Sequence, residues 1–453
     1  MRIHFIAIGG AAMHNLAMAV ALKKGYVVTG SDDEIFDPAR THLAQRGLLP
    51  KEIGWHPENI TTDIDAVIVG MHARQDNPEL LRAKQLGLKI YSFPEYLYEQ
   101  TKDKIRIVVG GSHGKTTTTA MILYALRKLN IKADYMVGAQ IAGFDTMVQL
   151  SDDAKYAVFE GDEYLTSPLD QRSKFHLYKP HVAILTGIAW DHINVFPTFP
   201  EYVETFRKFV DLIEKNGSFI YFEEDENLKS IASHARSDIK LLPYNTPDFE
   251  LNDGITYLTN PKIKLSIFGR HNLQNMHAAQ IACEQIGVKK EDFYNALSDF
   301  TGANNRLEKI VQTQDCVAFK DFAHSPSKLK ATINAVKEQY PQKQLIACME
   351  LHTFSSLMAD FLPQYNGSMK QADIAFVYFN PKVIEHKQLT PITKEDVKTA
   401  FGSDNVVVFT DSEQLKDALK SCNYQNTALL MMTSGTFDGI SIKEFATELL
   451  SHK

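Results

Sequence analysis

The sequence predicts an α/β protein built from three consecutive units, each a parallel sheet flanked by helices. Three observations carry this. The chain has 453 residues, a length that divides into about three domains of roughly 100 to 200 residues. Short β-branched runs alternate with amphipathic helical stretches along its whole length, the pattern of βα repeats. The alternation also restarts on a fresh strand at residue 105 and near Cys316, so the units are drawn at 1–102, 103–305 and 306–453. With 44% hydrophobic and 23% charged residues, the composition supplies packed interiors.

The first unit opens with a strand over residues 3–8, turns at Gly9-Gly10, continues as a helix to Lys24 and returns as a strand over 26–29, with further strands at 66–69 and 89–91. The second begins with a strand at 105–109, followed by a helix whose Ile122, Leu126 and Leu129 share one face. The third has strands at 345–349, 374–378, 406–409 and 428–432, with helices at 328–338 and 442–450.

Composition excludes several classes of function. The net charge of −7 opposes phosphate neutralisation on nucleic acid. Cys283, Cys316, Cys348 and Cys422 have no metal-like pair spacing and read as reduced thiols of a cytoplasmic protein. The apolar start is interrupted by Gly9, Gly10, His14 and Asn15, with Lys23-Lys24 on the wrong side for a secretory segment. No apolar run reaches the roughly 18 to 20 residues of a membrane span. The expectation is a soluble monomer or weak homo-oligomer with no nucleic-acid or membrane partner.

Gly111-Ser112-His113-Gly114-Lys115-Thr116-Thr117 follows one strand and opens a helix, the context of a phosphate loop. Small residues let backbone N–H groups face phosphate oxygens at the positive end of a helix. Lys115 then reaches the β and γ phosphates, and Thr116 is placed to ligate Mg²⁺. The longer consensus has glycine where this chain has Val109, so the loop is the shorter G-x-x-G-K-T form. ATP or GTP binding follows. Glu160-Gly161-Asp162-Glu163 ends the strand 156–159, and Asp191-His192 follows the strand 182–186. Polar groups at these strand ends lie where open α/β sheets bind ligands, and the carboxylates suit magnesium.

Those motifs, followed in order by Gly269-Arg270-His271-Asn272-Leu273-Gln274-Asn275 and Arg306-Leu307-Glu308, resemble the Mur ligases over essentially the whole chain. The resemblance implies a Rossmann-like N-terminal domain, a central P-loop ATPase-like domain and a Rossmann-like C-terminal domain that binds the amine substrate. It implies ATP and Mg²⁺ as cofactors, with Lys115, Glu160 and His192 catalytic and Thr116, Glu160 and His192 on the metal. His271, Asn272 and Asn275 would border the ATP, Arg306 would meet its phosphates and Asp321 its ribose. The family tends to carry two histidines where this chain has His324-Ser325, and some members carry a carbamylated lysine, a role assigned neither to Lys208 nor to Lys215, neighbours in a helix that follows His192.

Gly9-Gly10 after the first strand and Ser31-Asp32 after the second resemble a nucleotide-binding βαβ unit, with the acidic residue about 20 positions on. Taken alone this pattern suggests NAD. A second, ATP-type domain with metal carboxylates argues against a dehydrogenase, and the family resemblance assigns the unit to the UDP of a sugar nucleotide. His72 either lines the same cleft or sits on a surface loop. Asp162-Glu163-Tyr164 with Asp170-Gln171-Arg172-Ser173-Lys174-Phe175 resembles the peptide-adding branch, whereas alanine-adding members typically read D-E-S-D. The implied reaction joins UDP-N-acetylmuramate to L-alanyl-γ-D-glutamyl-meso-diaminopimelate, with Arg172 and Lys174 expected to meet peptide carboxylates. The segment after Glu350, Leu351-His352-Thr353-Phe354-Ser355, lacks the arginine many members carry there. Competing readings are the L-alanine-adding ligase, a folylpolyglutamate synthetase, which lacks the N-terminal unit, and a nucleotide-binding switch, which would not need Glu160 and His192.

Overall fold

The computed structural model describes residues 1–141, 143–167, 170–252 and 254–451. The chain forms two compact units, one of Met1–Ile188, Pro200–Tyr244 and Ala278–Phe293, the other of Ala189–Phe199, Asn245–His277 and Tyr294–Lys453.

The first unit contains a four-stranded parallel sheet of β1 (Arg2–Ile6), β2 (Val27–Ser31), β3 (Ala66–Val69) and β4 (Lys89–Ser92), in the order β2-β1-β3-β4. Helices α1 (Ala11–Ala21), α2 (Ala39–Gln45), α3 (Pro78–Gln85) and α4 (Phe93–Thr101) accompany it. The winding reverses between β1 and β3, which leaves a crevice at their C-terminal ends. The chain leaves β1 through Ala7, held at φ 63°. Helix α4 starts on a capping box in which Ser92 and Glu95 satisfy each other's backbone donors, with proline in the first turn.

The same unit holds a seven-stranded sheet of β5 (Ile105–Gly110), β6 (Ala133–Met136), β7 (Val148–Gln149), β8 (Tyr156–Glu160), β11 (Val182–Leu185), β12 (Ser218–Phe222) and β13 (Lys240–Tyr244). Its order is β13-β12-β11-β5-β8-β6-β7, and only β7 pairs antiparallel. Between β8 and β11 lies a small antiparallel hairpin of β9 (Leu165–Ser167) and β10 (Asp170–Ser173). Helix α5 (Lys115–Lys128) follows β5 directly, and β5 sits at the reversal of winding, so the Gly111 loop opens at the sheet's crevice. Arg106 on β5 is 1% exposed. Its guanidinium donates to the carbonyls of Thr101 (3.0 Å), Lys102 (2.8 Å) and Lys104 (3.0 Å), to those of Tyr178 (2.8 Å) and Lys179 (3.0 Å), and to Glu214 (3.1 Å).

In the second unit β14 (Phe249–Asn252), β15 (Ile255–Thr259) and β16 (Lys262–Leu265) form an antiparallel meander. A six-stranded sheet follows, of β17 (Glu308–Gln312), β18 (Cys316–Asp321), β19 (Gln344–Leu351), β20 (Ile374–Phe379), β21 (Val406–Phe409) and β22 (Thr427–Met432), ordered β17-β18-β22-β19-β20-β21. It is parallel except for the edge strand β17. Val317, Phe319, Leu345, Ala347 and Met349 pack into one core, while Cys316, Ala318, Ile346 and Cys348 pack into another. This period-2 division buries both faces, as a parallel sheet requires. Among the described residues the four cysteines are buried and form no disulfide. Among the described residues no helix is long and apolar enough to cross a membrane.

Candidate active site

The phosphate loop is built as its sequence requires. Gly111 has φ 128°, and a Cβ there would collide with the Thr186 side chain and stand 2.9 Å from its backbone nitrogen. Gly114 caps α5 in the left-handed region at φ 76°. The Ser112 N–H donates to the Gly187 carbonyl (2.9 Å), Ser112 Oγ meets Tyr202 OH (2.9 Å), and Thr186 Oγ1 donates to the carbonyls of Gly110 (3.2 Å) and His113. His113 packs on Gly187, where an added Cβ would come within 2.7 Å of its ring, and Thr117 is buried in the first turn of α5.

Lys115 lies inward. Its Nζ donates to the Gly111 carbonyl (2.6 Å) and to Glu163 Oε2 (2.7 Å), and the two side chains are 15% and 1% exposed. Burial pulls the Lys115 pKa down, but Glu163 and Asp162 outweigh it and hold the ammonium above its usual range. Glu163 Oε1 accepts from Tyr202 OH (2.9 Å). No motif signals this pairing, because the partners are 48 residues apart. Asp162 accepts from Lys174 Nζ (2.6 Å), and although burial opposes ionisation, Lys174 and Lys115 bring its carboxyl down to about 2.

Thr116 Oγ1 donates to Glu160 Oε1 (2.8 Å), and the Gly138 N–H donates to Glu160 Oε2 (2.6 Å). A Cβ on Gly138 would fall 2.8 Å from the carboxylate, so bare backbone is needed beside it. A hydroxyl in the first turn of α5 and a carboxylate at the end of β8 are hard oxygen donors, and they fit Mg²⁺. Among the described residues no cluster of three or more His, Cys, Asp and Glu is assembled for a metal. Asp191 and His192 belong to the second unit. Asp191 is 8% exposed, and although burial opposes ionisation, Lys328, His192 and His324 keep its carboxyl below the usual range.

The crevice of the first sheet is a cleft of about 890 Å³ whose walls include Gly9, Gly10, Asp32 and His72. Asp32 Oδ2 accepts from the Gly9 N–H (2.7 Å), and burial pushes its carboxyl up to about 6. Ser31 is not on these walls: its hydroxyl is turned to the fully buried Glu79, which also meets His4 (3.3 Å) and the His56 N–H (2.6 Å). His14, His42 and Arg46 do line the cleft and were not foreseen. The two rings lie 5.5 Å apart between centroids. Their signal was His14 one turn after Gly10, where Nδ1 reaches the Gly10 carbonyl (3.0 Å).

In the second unit, His271, Asn272 and Asn275 occupy the first turns of the helix Arg270–Glu284. Burial takes the His271 imidazole down to about 4, so it is neutral at pH 7. Arg306 stacks on Phe322 (4.6 Å from its centroid), and Asp321 is spent internally, accepting from the Leu307 N–H and from Thr332 Oγ1 (3.4 Å). Asp321 thus meets any ribose with a carboxylate that is already held by two contacts within the chain. His324 Nδ1 donates to the Phe322 carbonyl (2.8 Å), and burial with Lys328 nearby pushes its pKa down to about 3. Arg172 and Lys174, expected to meet peptide carboxylates, are paired within the chain: Arg172 with Asp170 (2.5 Å) and Glu95 (3.3 Å), Lys174 with Asp162.

Comparison with known proteins gives a match to the Mur ligase middle domain over residues 109–283 and to the Mur ligase family catalytic domain over residues 2–104. The UDP-N-acetylmuramate–L-alanine ligase of Caldicellulosiruptor saccharolyticus is 31% identical over 435 residues, covering 92% of this chain and 89% of that protein. The UDP-N-acetylmuramate–L-alanyl-γ-D-glutamyl-meso-2,6-diaminoheptandioate ligase of Escherichia coli K12 is 28% identical over 458 residues, covering 98% and 97%. The crystal structure of a murein peptide ligase from Psychrobacter arcticus 273-4 superposes with a TM-score of 0.65 at 26% identity, covering 99% of this chain and 98% of that one.

Proposed function

This chain belongs to the Mur ligase family of ATP-dependent ligases that form C–N bonds, and from that premise we propose that it joins UDP-N-acetylmuramate to L-alanyl-γ-D-glutamyl-meso-diaminopimelate through an acyl phosphate, a step of peptidoglycan recycling in the cytoplasm. The reading keeps the division at 1–102 for the UDP-sugar, 103–305 for ATP and 306–453 for the amine. A carboxylate is a poor electrophile because its leaving group would be oxide, and phosphorylation by ATP removes that obstacle. Lys115 counters the charge that develops on the transferred phosphoryl group. Thr116 and Glu160 would hold a magnesium ion, with His192 proposed as a further ligand, and the ion's chemistry there is Lewis-acid stabilisation of the phosphate oxygens.

The observation that carries the choice of a peptide is the hairpin segment. Lys174 ties Asp162 at 2.6 Å and its N–H bonds the Tyr164 carbonyl at 3.0 Å, so the D-E-Y and R-S-K-F stretches form one closed element. The full-length similarity to the Escherichia coli ligase supports the same choice. A second reading, L-alanine addition, is favoured by the 31% identity to the Caldicellulosiruptor saccharolyticus ligase. The two share sugar and ATP and differ in the amine. A peptide offers remote groups whose binding energy orients its amine, whereas alanine leaves such a site's polar groups unpaired. At saturating ATP and UDP-N-acetylmuramate, kcat/KM is expected to be at least ~10-fold higher for the tripeptide. A tenfold preference for alanine would establish the second reading.

Asp32 supplies a test of the sugar-nucleotide cleft. Its carboxyl is pushed from 3.8 up to about 6, and the ionised form accepts from Gly9. If it also accepts from a ribose hydroxyl, KM for UDP-N-acetylmuramate should rise about tenfold per pH unit below pH 6, and Asp32→Asn should flatten that dependence. Stability runs the other way. A raised carboxyl pKa means that ionisation costs stability as pH climbs from 3.8 to about 6. The Asn variant should therefore melt no lower than the parent at pH 7.

A further inference from the structure

The middle of the six-stranded sheet carries a buried group that the scheme above leaves unused. β19 and β22 run side by side, with β22 inserted between β18 and β19 where the winding reverses, so their C-terminal ends open on the edge where such sheets receive ligands. Glu350, next to last in β19, has a side chain only 4% exposed. Its Oε2 accepts from the Thr433 hydroxyl and from the Phe437 N–H (2.9 Å), and its Oε1 faces His352 Nδ1 at 3.6 Å, an ion-pair distance beyond an ordinary hydrogen bond. Burial opposes its ionisation, but His352, Thr433 and Phe437 together hold the carboxyl below its usual range. With Nδ1 toward the carboxylate, Nε2 is the ring nitrogen turned away from it.

Two neighbours mark this as a built crevice. A Cβ on Gly435 would stand 2.7 Å from His352 Nδ1 and 2.8 Å from Glu350 Oε2, so the imidazole lies against bare backbone. The hydroxyl of Ser434 is buried with no hydrogen-bond partner, and an orphaned polar atom of this kind calls for an explanation such as a ligand that completes it. The segment from Glu350 to Ser356 contains no arginine. The ionisable side chain presented here is thus an imidazole, suited to exchanging a proton rather than clamping a carboxylate.

We propose that His352, aligned by Glu350, is the base that accepts the proton of the attacking amine. The assignment rests on the ligase reading. The amine arrives as an ammonium, which has no lone pair to attack with. His352 Nε2 takes one proton, the freed nitrogen forms the C–N bond at the acyl phosphate carbonyl, and the C–O bond to phosphate breaks. The second proton lost from nitrogen leaves with the phosphate, and the amide keeps the third. Glu350 is a positioning residue that fixes the ring and supports the imidazolium.

The test compares two nucleophiles in the full-length protein with ATP and UDP-N-acetylmuramate: the preferred amine, and hydroxylamine, which is unprotonated at neutral pH and needs no base. In His352→Gln, kcat/KM for the amine should fall ~10²- to 10⁴-fold, while hydroxamate formation stays within a few-fold of the parent. Glu350→Gln should show the same selective loss in milder form. His352 is partly exposed on the crevice wall, and an unchanged melting temperature would establish that its variant is folded. An equal loss with both nucleophiles, or no loss with either, overturns the proposal. Failure of the parent protein to form any hydroxamate would instead overturn the ligase reading beneath it.

Discussion

Lys115→Ala is expected to lose ligation by ~10³-fold or more, because the charge it places against the transferring phosphoryl group is lost. The structure adds a cost that the sequence did not suggest. Read from the motif alone, Lys115 faces solvent and phosphate, so its removal should leave the fold intact. In the structure it is buried against Glu163, which is 1% exposed. Removing one member of a buried pair strands the other's charge, at a cost of about 3 to 5 kcal/mol. Glu163 keeps a hydrogen bond from Tyr202 (2.9 Å), which places the loss toward the lower end. The double variant Lys115→Met, Glu163→Gln should recover most of that stability and remain inactive. Urea unfolding and single-turnover phosphoryl transfer measure the two effects separately. Near-normal turnover in the single variant would remove Lys115 from the mechanism.

Glu160→Gln is expected to raise the magnesium concentration for half-maximal activity by roughly 10- to 100-fold, with slower acyl phosphate formation. The amide retains one oxygen for the Gly138 N–H but loses the negative charge, and its NH₂ would face either the Thr116 hydroxyl or the ion. UDP-N-acetylmuramate affinity, measured by calorimetry without ATP, should not change. His192→Ala tests the corresponding role in the second unit. Magnesium dependence identical to the parent in both variants would return these residues to structural duty.

Many of the parallel strands were legible because burial on both faces favours apolar runs, as at 66–69, 182–185 and 428–432, although β6, β12 and β13 were passed over. The antiparallel pieces were not. Strands β14 to β16 carry exposed charged residues and no such run, and edge strand β17 reads as an ordinary polar connection. Within the site, motif residues were found where backbone geometry forces their identity, as at Gly111 and Gly114. Partnerships made by tertiary approach left no trace in the sequence. Ser31 follows its strand as a cleft residue would, yet the alternation of side chains sends it toward Glu79, while Asp32 faces the cleft. His14 was passed over because helix α1 read as an ordinary support of the sheet, and no element was read around His42 and Arg46.

Arg106 bears on how this protein can be taken apart. Residues 101–104 look like a severable connection between two sheets, and an experimenter seeking the N-terminal unit alone would cut there. Yet one guanidinium, anchored on the first strand beyond that connection, holds the carbonyls of Thr101, Lys102 and Lys104 together with those of Tyr178 and Lys179. A break at this point would leave a buried cation with half of its acceptors on a departed fragment. The connection therefore acts as a rivet, and fragment design or domain exchange would do better to keep residues 1–110 continuous with the sheet that follows.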